Sequence, residues 1–137
     1  MIPHVATCIA IGTRAVLLEG TPGSGKSTLA LALIDRGAQL IGDDGIMLEV
    51  DAGRLIAHPH PRTAGLLEIR NLGIVSFPVC TATAIALVIM LDEAAPRFVE
   101  GASTIERAGV CLPGLQVWPG SAALKVEHAL RLYGLPA

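Results

Sequence analysis

The sequence predicts an α/β fold in which hairpins flank a single phosphate-loop helix, giving a mixed β-sheet. Three observations predict it. An apolar run, Ala15–Leu18, leads into the glycine-rich octapeptide Gly20–Ser27, and a helix-periodic segment follows. Turn residues at Gly12-Thr13-Arg14 fold that run back on another, Val5–Ile11. Asp51-Ala52-Gly53 sits in the same way between Ile46–Val50 and Arg54–Ala57. Parallel neighbours need long crossovers, so tight turns of this kind imply antiparallel pairs within the sheet.

The remaining elements follow in order. Ser27–Arg36 places Leu29, Ala30, Leu33 and Ile34 at helical spacing, and Gly37 stands beyond as a stop. Gln39–Ile41 reads as a short strand that ends at Gly42-Asp43-Asp44-Gly45. His58–Arg62, with two prolines, reads as irregular. Leu66–Arg70 and Gly73–Phe77 surround a turn. Ala84–Leu91 is β-branched and apolar enough for a central strand, and Leu112–Val117 is a weaker one. Ser121–Leu132 carries Ala122, Leu124, Val126, Ala129 and Leu130, the pattern of a last helix. No repeat, charge block or low-complexity linker divides the chain, so residues 1–137 are expected to form one domain.

Composition narrows the function classes. Hydrophobic residues make up 52% of the 137 positions and charged ones 16%, which favours a packed core over disorder. A net charge of -2 gives no basic face for nucleic acid or an anionic membrane. Aromatics at 3% leave no platform for stacking bases. The longest apolar stretch, Thr83–Leu91, is too short to span a bilayer. Cys8, Cys80 and Cys111 form no CxxC pair. With no export signal at the N-terminus, they are expected to be reduced thiols of a cytoplasmic protein.

Gly20-Thr21-Pro22-Gly23-Ser24-Gly25-Lys26-Ser27 fits GxxxxGK[ST] at every fixed position. Glycines let the backbone curl round a phosphate and turn several N–H groups inward. The helix that follows adds the positive end of its dipole. Lys26 can reach the β- and γ-phosphates, and the Ser27 hydroxyl can ligate Mg²⁺. The expected cofactors are therefore a nucleoside triphosphate and Mg²⁺, with nucleotide contacts along Gly20–Ser27 and onto Thr28. The motif does not name the acceptor.

Asp43-Asp44 follows the next strand, where phosphate-loop enzymes place a carboxylate for the metal. Of Asp43 and Asp44, one could serve Mg²⁺ while the other accepts a proton from an attacking hydroxyl. Gly-Asp-Asp-Gly is also strong turn chemistry, and that reading stays open. His58 and His60 have no cysteine or carboxylate partner at ligand spacing and read as a solvated loop. His4 is unremarkable on its own residues, and His128 belongs to the last helix.

Taken together, three segments resemble the catalytic domain of the HPr(Ser) kinase/phosphorylase family, in the short form without an N-terminal domain. They are the phosphate loop, the Gly37–Asp44 strand with its two aspartates, and Leu67-Glu68-Ile69-Arg70-Asn71-Leu72-Gly73-Ile74-Val75-Ser76, which is similar to the signature LEIRGLGIID. The resemblance implies a fold like that of HPr kinase and phosphoenolpyruvate carboxykinase. It implies an ATP-dependent protein-serine kinase that phosphorylates the phosphocarrier HPr and so regulates the sugar phosphotransferase system. Lys26 would contact the transferring phosphate, Ser27 and Glu68 would hold Mg²⁺, Asp44 would be the base and His4 the catalytic histidine. Arg70 would steady charge near the site. The family forms hexamers through its terminal helix, which implies a homo-oligomer.

The chain also departs from that family. Asn71 replaces a signature glycine and Ser76 its acidic last residue. Arg97 lies too early and Arg107 too late for the family's catalytic arginine. Val117–Ser121 stands where longer members carry the arginine-bearing loop of phosphorolysis, which counts against a phosphorylase activity. Two other readings share the same loop: a small-molecule kinase or NTPase, and a non-catalytic nucleotide-binding regulator.

Overall fold

A computed structural model describes residues 1–137. The chain order is β1 (Ile2–His4), β2 (Thr7–Ile11), β3 (Arg14–Glu19), α1 (Lys26–Asp35), β4 (Gln39–Gly42), β5 (Ile46–Asp51), β6 (Arg54–Pro59), β7 (Leu66–Ile69), β8 (Gly73–Ser76), β9 (Thr83–Leu91), β10 (Ser103–Arg107), β11 (Val110–Val117) and α2 (Ala122–Tyr133). Nine strands form one sheet in the order β1-β5-β6-β9-β3-β2-β4, with the β10–β11 hairpin joined to β9. β7 and β8 form a separate two-stranded ribbon. The sheet is mixed: β9 runs parallel to β3 and to β11, and the other pairs are antiparallel.

Local chemistry accounts for most of these elements. α1 ends in a Schellman turn in which Gly37 N–H bonds the Ile34 carbonyl and Ala38 N–H the Leu33 carbonyl. Ala122, Val126, Ala129 and Leu130 line one stripe of α2, which packs on the core of its own chain. Any contact of α2 with a second copy therefore falls to its other side, where Leu124 and Leu132 are exposed.

The alternation of β3 separates two cores. Val16 and Leu18 face a cluster shared with both helices, while Ala15 and Leu17 face a second cluster under β5, β6 and β11. A register shift lies between Ala15, opposite Ile85, and Val16, opposite Leu87. It turns consecutive residues Ala86 and Leu87 to the helix-side core.

Three elements differ from the sequence expectation. The strand expected over Val5–Ile11 begins at Thr7 and pairs with β3 and β4, and a short strand that was not foreseen, Ile2–His4, precedes it and pairs with β5. His58 and Pro59, expected in a loop, are the last residues of β6, and the His58 ring is 2.9 Å from Glu49 Oε1. Pro59 sits at a strand end, where a missing N–H costs little. β10 was not foreseen, because Ser-Thr-Ile-Glu-Arg carries too little apolar content to declare a strand.

Candidate active site

The parallel strands β3, β9 and β11 end on the same side of the sheet, and the phosphate loop leaves β3 there. In open α/β sheets this is the side on which ligands bind. Gly23 at φ 80° and Gly25 at φ 102° carry the left-handed backbone the loop needs. Lys26 reaches back to donate to the Gly20 carbonyl at 2.8 Å, which ties the two ends of the loop together. The Ser24 hydroxyl is buried within the loop without a hydrogen-bond partner. Such an orphan donor fits a loop built to meet phosphate oxygens.

Asp43 is the hub of the site. Its Oδ1 accepts from the Ser27 hydroxyl at 2.7 Å and from the Thr7 hydroxyl at 3.1 Å. Its Oδ2 accepts the backbone N–H of Glu68 at 3.2 Å. One carboxylate thus joins β2, the start of α1 and the β7–β8 ribbon. Gly42 makes the approach possible, because a Cβ there would lie 2.6 Å from the Gly45 carbonyl oxygen.

These groups border a cleft of about 330 Å³ whose ten lining residues include no hydrophobic side chain. Pro22, Gly23, Gly25, Lys26, Ser27 and Thr28 form one wall, and Asp43, Asp44, Glu68 and Arg70 the other. Asp44 is exposed at φ 60°, a left-handed conformation that a non-glycine residue holds at some cost. Gly20, Thr21 and Ser24 face a second cleft on the far side of the loop, between Glu19 and Met90–Glu93. The nucleotide residues expected from the motif are therefore divided between two adjoining clefts. Arg70 has no ion-pair partner, and one of its terminal nitrogens lies 3.5 Å from where a Gly23 side chain would begin.

No group of three or more His, Cys, Asp and Glu side chains is placed to hold a metal unaided. The chain does offer hard oxygen donors, Ser27, Asp43 and Glu68, on one cleft. That number suits Mg²⁺, which takes one or two carboxylates and completes its shell with phosphates and water.

The family of the HPr Serine kinase C-terminal domain matches residues 3–108. The chain belongs to this family. Members of the HPr kinase family with similar sequences include the HPr kinase/phosphorylase of Clostridium tetani, 43% identical over 63 residues, which are 46% of this chain and 21% of that protein. The HPr kinase/phosphorylase of Mycoplasma mycoides is 42% identical over 71 residues, 52% of this chain and 22% of that protein. The chain thus aligns with about a fifth of the length of these curated relatives. Among solved structures, the Hpr(Ser) kinase/phosphatase from Coxiella burnetii superposes with a TM-score of 0.86 at 27% identity, covering 96% of this chain and 95% of that one. The α/β fold with its mixed sheet is that of the HPr kinase catalytic domain.

Against this kinase-family frame, Lys26, Ser27, Asp43, Asp44 and Glu68 share one cleft. His4 lies outside its lining, with its Nε2 3.0 Å from Glu19 Oε2. Sequence reasoning missed Thr7 and Glu19, and it weighed Arg107 only as a poor match to a family arginine, not as the partner of Glu19. A hydroxyl inside the apolar Ala6–Ile11 run and a carboxylate directly before the glycine loop were the available signals. Nothing local marked Arg107, whose partner is 88 positions away.

Proposed function

We propose that this chain is a cytoplasmic, Mg-ATP-dependent protein-serine kinase that phosphorylates the phosphocarrier HPr and so regulates the sugar phosphotransferase system. One observation carries the reading. The Asp43 carboxylate accepts from the Ser27 hydroxyl at 2.7 Å on a cleft that also holds Lys26, Asp44 and Glu68.

Bound Mg-ATP would supply the transferable γ-phosphoryl group and neutralise charge on its oxygens. The loop N–H groups and Lys26 grip and orient the triphosphate. Ser27, Asp43 and Glu68 hold the metal's side of the cleft. Asp44, held by no ion pair, accepts the proton of the attacking serine hydroxyl. Arg70 steadies negative charge as the phosphoryl group moves. Asp43, already the acceptor of three hydrogen bonds, is the poorer base of the two. Phosphorolysis is not proposed, since Trp118-Pro119-Gly120 brings no arginine to the site.

The test is transfer from γ-labelled ATP to purified HPr. The expected result is label on an HPr serine, slowed about 10²- to 10⁴-fold by Asp44→Asn. ATP turnover indifferent to HPr and stimulated by a metabolite would instead establish a small-molecule kinase. ATP binding with no transfer would establish a non-catalytic regulator.

A further inference from the structure

The early turns of α1 and α2 border a common slot. Thr28, Leu29 and Ala32 line it from α1, and the chain from Pro119 through Ser121 to Leu124 lines it from the other side. Its volume is about 200 Å³. Five of its eight lining residues are hydrophobic and none is charged. The phosphate cleft is the opposite, with no hydrophobic side chain in its lining. The two share Thr28. An apolar recess therefore begins where the charged cleft ends.

The loop fixes which end of a nucleotide meets that recess. In this motif the lysine reaches the β- and γ-phosphates, while backbone N–H groups cradle the α- and β-phosphates. Lys26 turns back to the Gly20 carbonyl at 2.8 Å, at the start of the loop. The γ end of a triphosphate thus belongs with Lys26, and the α-phosphate falls to the residues that follow it, Ser27 and Thr28. Thr28 and Ala32 lie on one face of α1, about 6 Å apart along its axis. A ribose attached to that α-phosphate spans such a gap and carries its base into the slot. The larger cleft on the outer side of the loop is placed differently. It borders none of Lys26, Ser27 and Thr28, and it carries the carboxylates Glu19, Asp92 and Glu93.

We propose that the slot between α1 and the start of α2 receives the purine base of the bound nucleotide, held by apolar contact with both helices. An apolar lining with a few polar groups is the usual form of a small-molecule site. Ser121 offers one such group, since its hydroxyl makes no capping bond to α2. This inference rests on the Mg-ATP part of the reading given above and is independent of the acceptor.

The experiment titrates Mg-ATP and Mg-tripolyphosphate into the full chain by calorimetry. Tripolyphosphate carries the phosphates without a base. ATP is expected to bind about tenfold more tightly than tripolyphosphate, the excess coming from the buried base. Ala32→Phe fills the slot from an exposed helix position. It should weaken ATP about tenfold and leave tripolyphosphate within about twofold. Leu124→Ser removes an apolar side chain that is 53% exposed, and it should narrow the same difference if Ala32→Phe does not fold. Folded variants with unchanged ATP affinity overturn the proposal, as does an equal loss for both ligands. A variant that alters the sedimentation coefficient and neither affinity would make the slot a contact between copies, which also overturns it. Should the ATP advantage vanish in Ala32→Phe while the unmodified chain transfers to no acceptor, the slot stands and the kinase reading falls. Should neither ligand bind the unmodified chain, both fall.

Discussion

The Ser27 hydroxyl donates to Asp43 Oδ1 at 2.7 Å, joining the first turn of α1 to the carboxylate that follows β4. The same oxygen accepts from Thr7, which is wholly buried. Asp43 thus ties three segments of the fold together as well as lining the cleft. Asp43→Ala strands two hydroxyls and the Glu68 N–H, and a buried donor without a partner costs about 1–3 kcal/mol. The expected outcome is a lower melting temperature together with loss of Mg-dependent nucleotide binding, read by calorimetry and by titration with and without the metal.

Lys26 makes its hydrogen bond to a loop carbonyl and stands on the phosphate cleft. A charged hydrogen bond contributes roughly 1.5–3 kcal/mol, and each 1.4 kcal/mol is about tenfold in affinity. Lys26→Met should weaken ATP binding by about ten- to a hundredfold with little change in melting temperature. Equal affinity in the variant would remove Lys26 from the nucleotide site.

Gly42→Ala tests the packing that sets Asp43 in place. The added methyl would stand 2.6 Å from both the Gly45 carbonyl oxygen and the Ile46 Cγ2. Overpacking of this kind costs about 1–3 kcal/mol. A loss in that range from urea unfolding is expected, along with weaker nucleotide binding through the displaced carboxylate. Gly45→Ala, where an added Cβ meets nothing within 4 Å, is the control.

Acid stability should follow Glu19. Its carboxyl is held at about 2, below the ordinary 4.5. A carboxyl depressed in the folded state adds stability that is complete above its unfolded value and disappears as pH falls through its folded one. Urea midpoints should therefore decline between about pH 4.5 and 2, and Glu19→Gln should flatten part of that decline. A variant with the unmodified pH profile would show that the ties of Glu19 to His4 and Arg107 contribute nothing to the fold.

Asn71 occupies the turn of the signature ribbon at φ 63°, in the left-handed region. Asparagine enters that region more easily than alanine, for which it costs roughly 1–2 kcal/mol. Asn71→Ala should lower stability by about 1 kcal/mol, and Asn71→Gly should leave it unchanged or slightly higher.

This residue illustrates what sequence could tell. Asn71 registered there only as a departure from a family glycine, and the backbone angle explains why the departure is tolerated. The phosphate loop, the Asp43-Asp44 pair and the Glu68 ribbon were legible because each is specified by a few adjacent residues. The hairpin at Ala52-Gly53 was legible for the same reason. What stayed hidden depends on chain segments that meet only in three dimensions. Thr7 looked like one polar residue in an apolar strand until Asp43 stood beside it, and Glu19 looked like the end of β3 until Arg107 arrived. His58 was assigned to a loop because prolines follow it, yet pairing with β5 carries the strand through Pro59. Register with a neighbour outweighed local propensity there.

The β10–β11 hairpin has a consequence for how the molecule matures. A chain emerging from the ribosome completes its phosphate loop early, but the guanidinium that grips Glu19 follows 88 residues later. Contacts of such long range form late, after the entropy of closing a large loop has been overcome. A half-made chain therefore carries the glycine loop well before the guanidinium that grips the residue in front of it. Until the last hairpin docks, Glu19 stands at the root of that loop without its strongest partner.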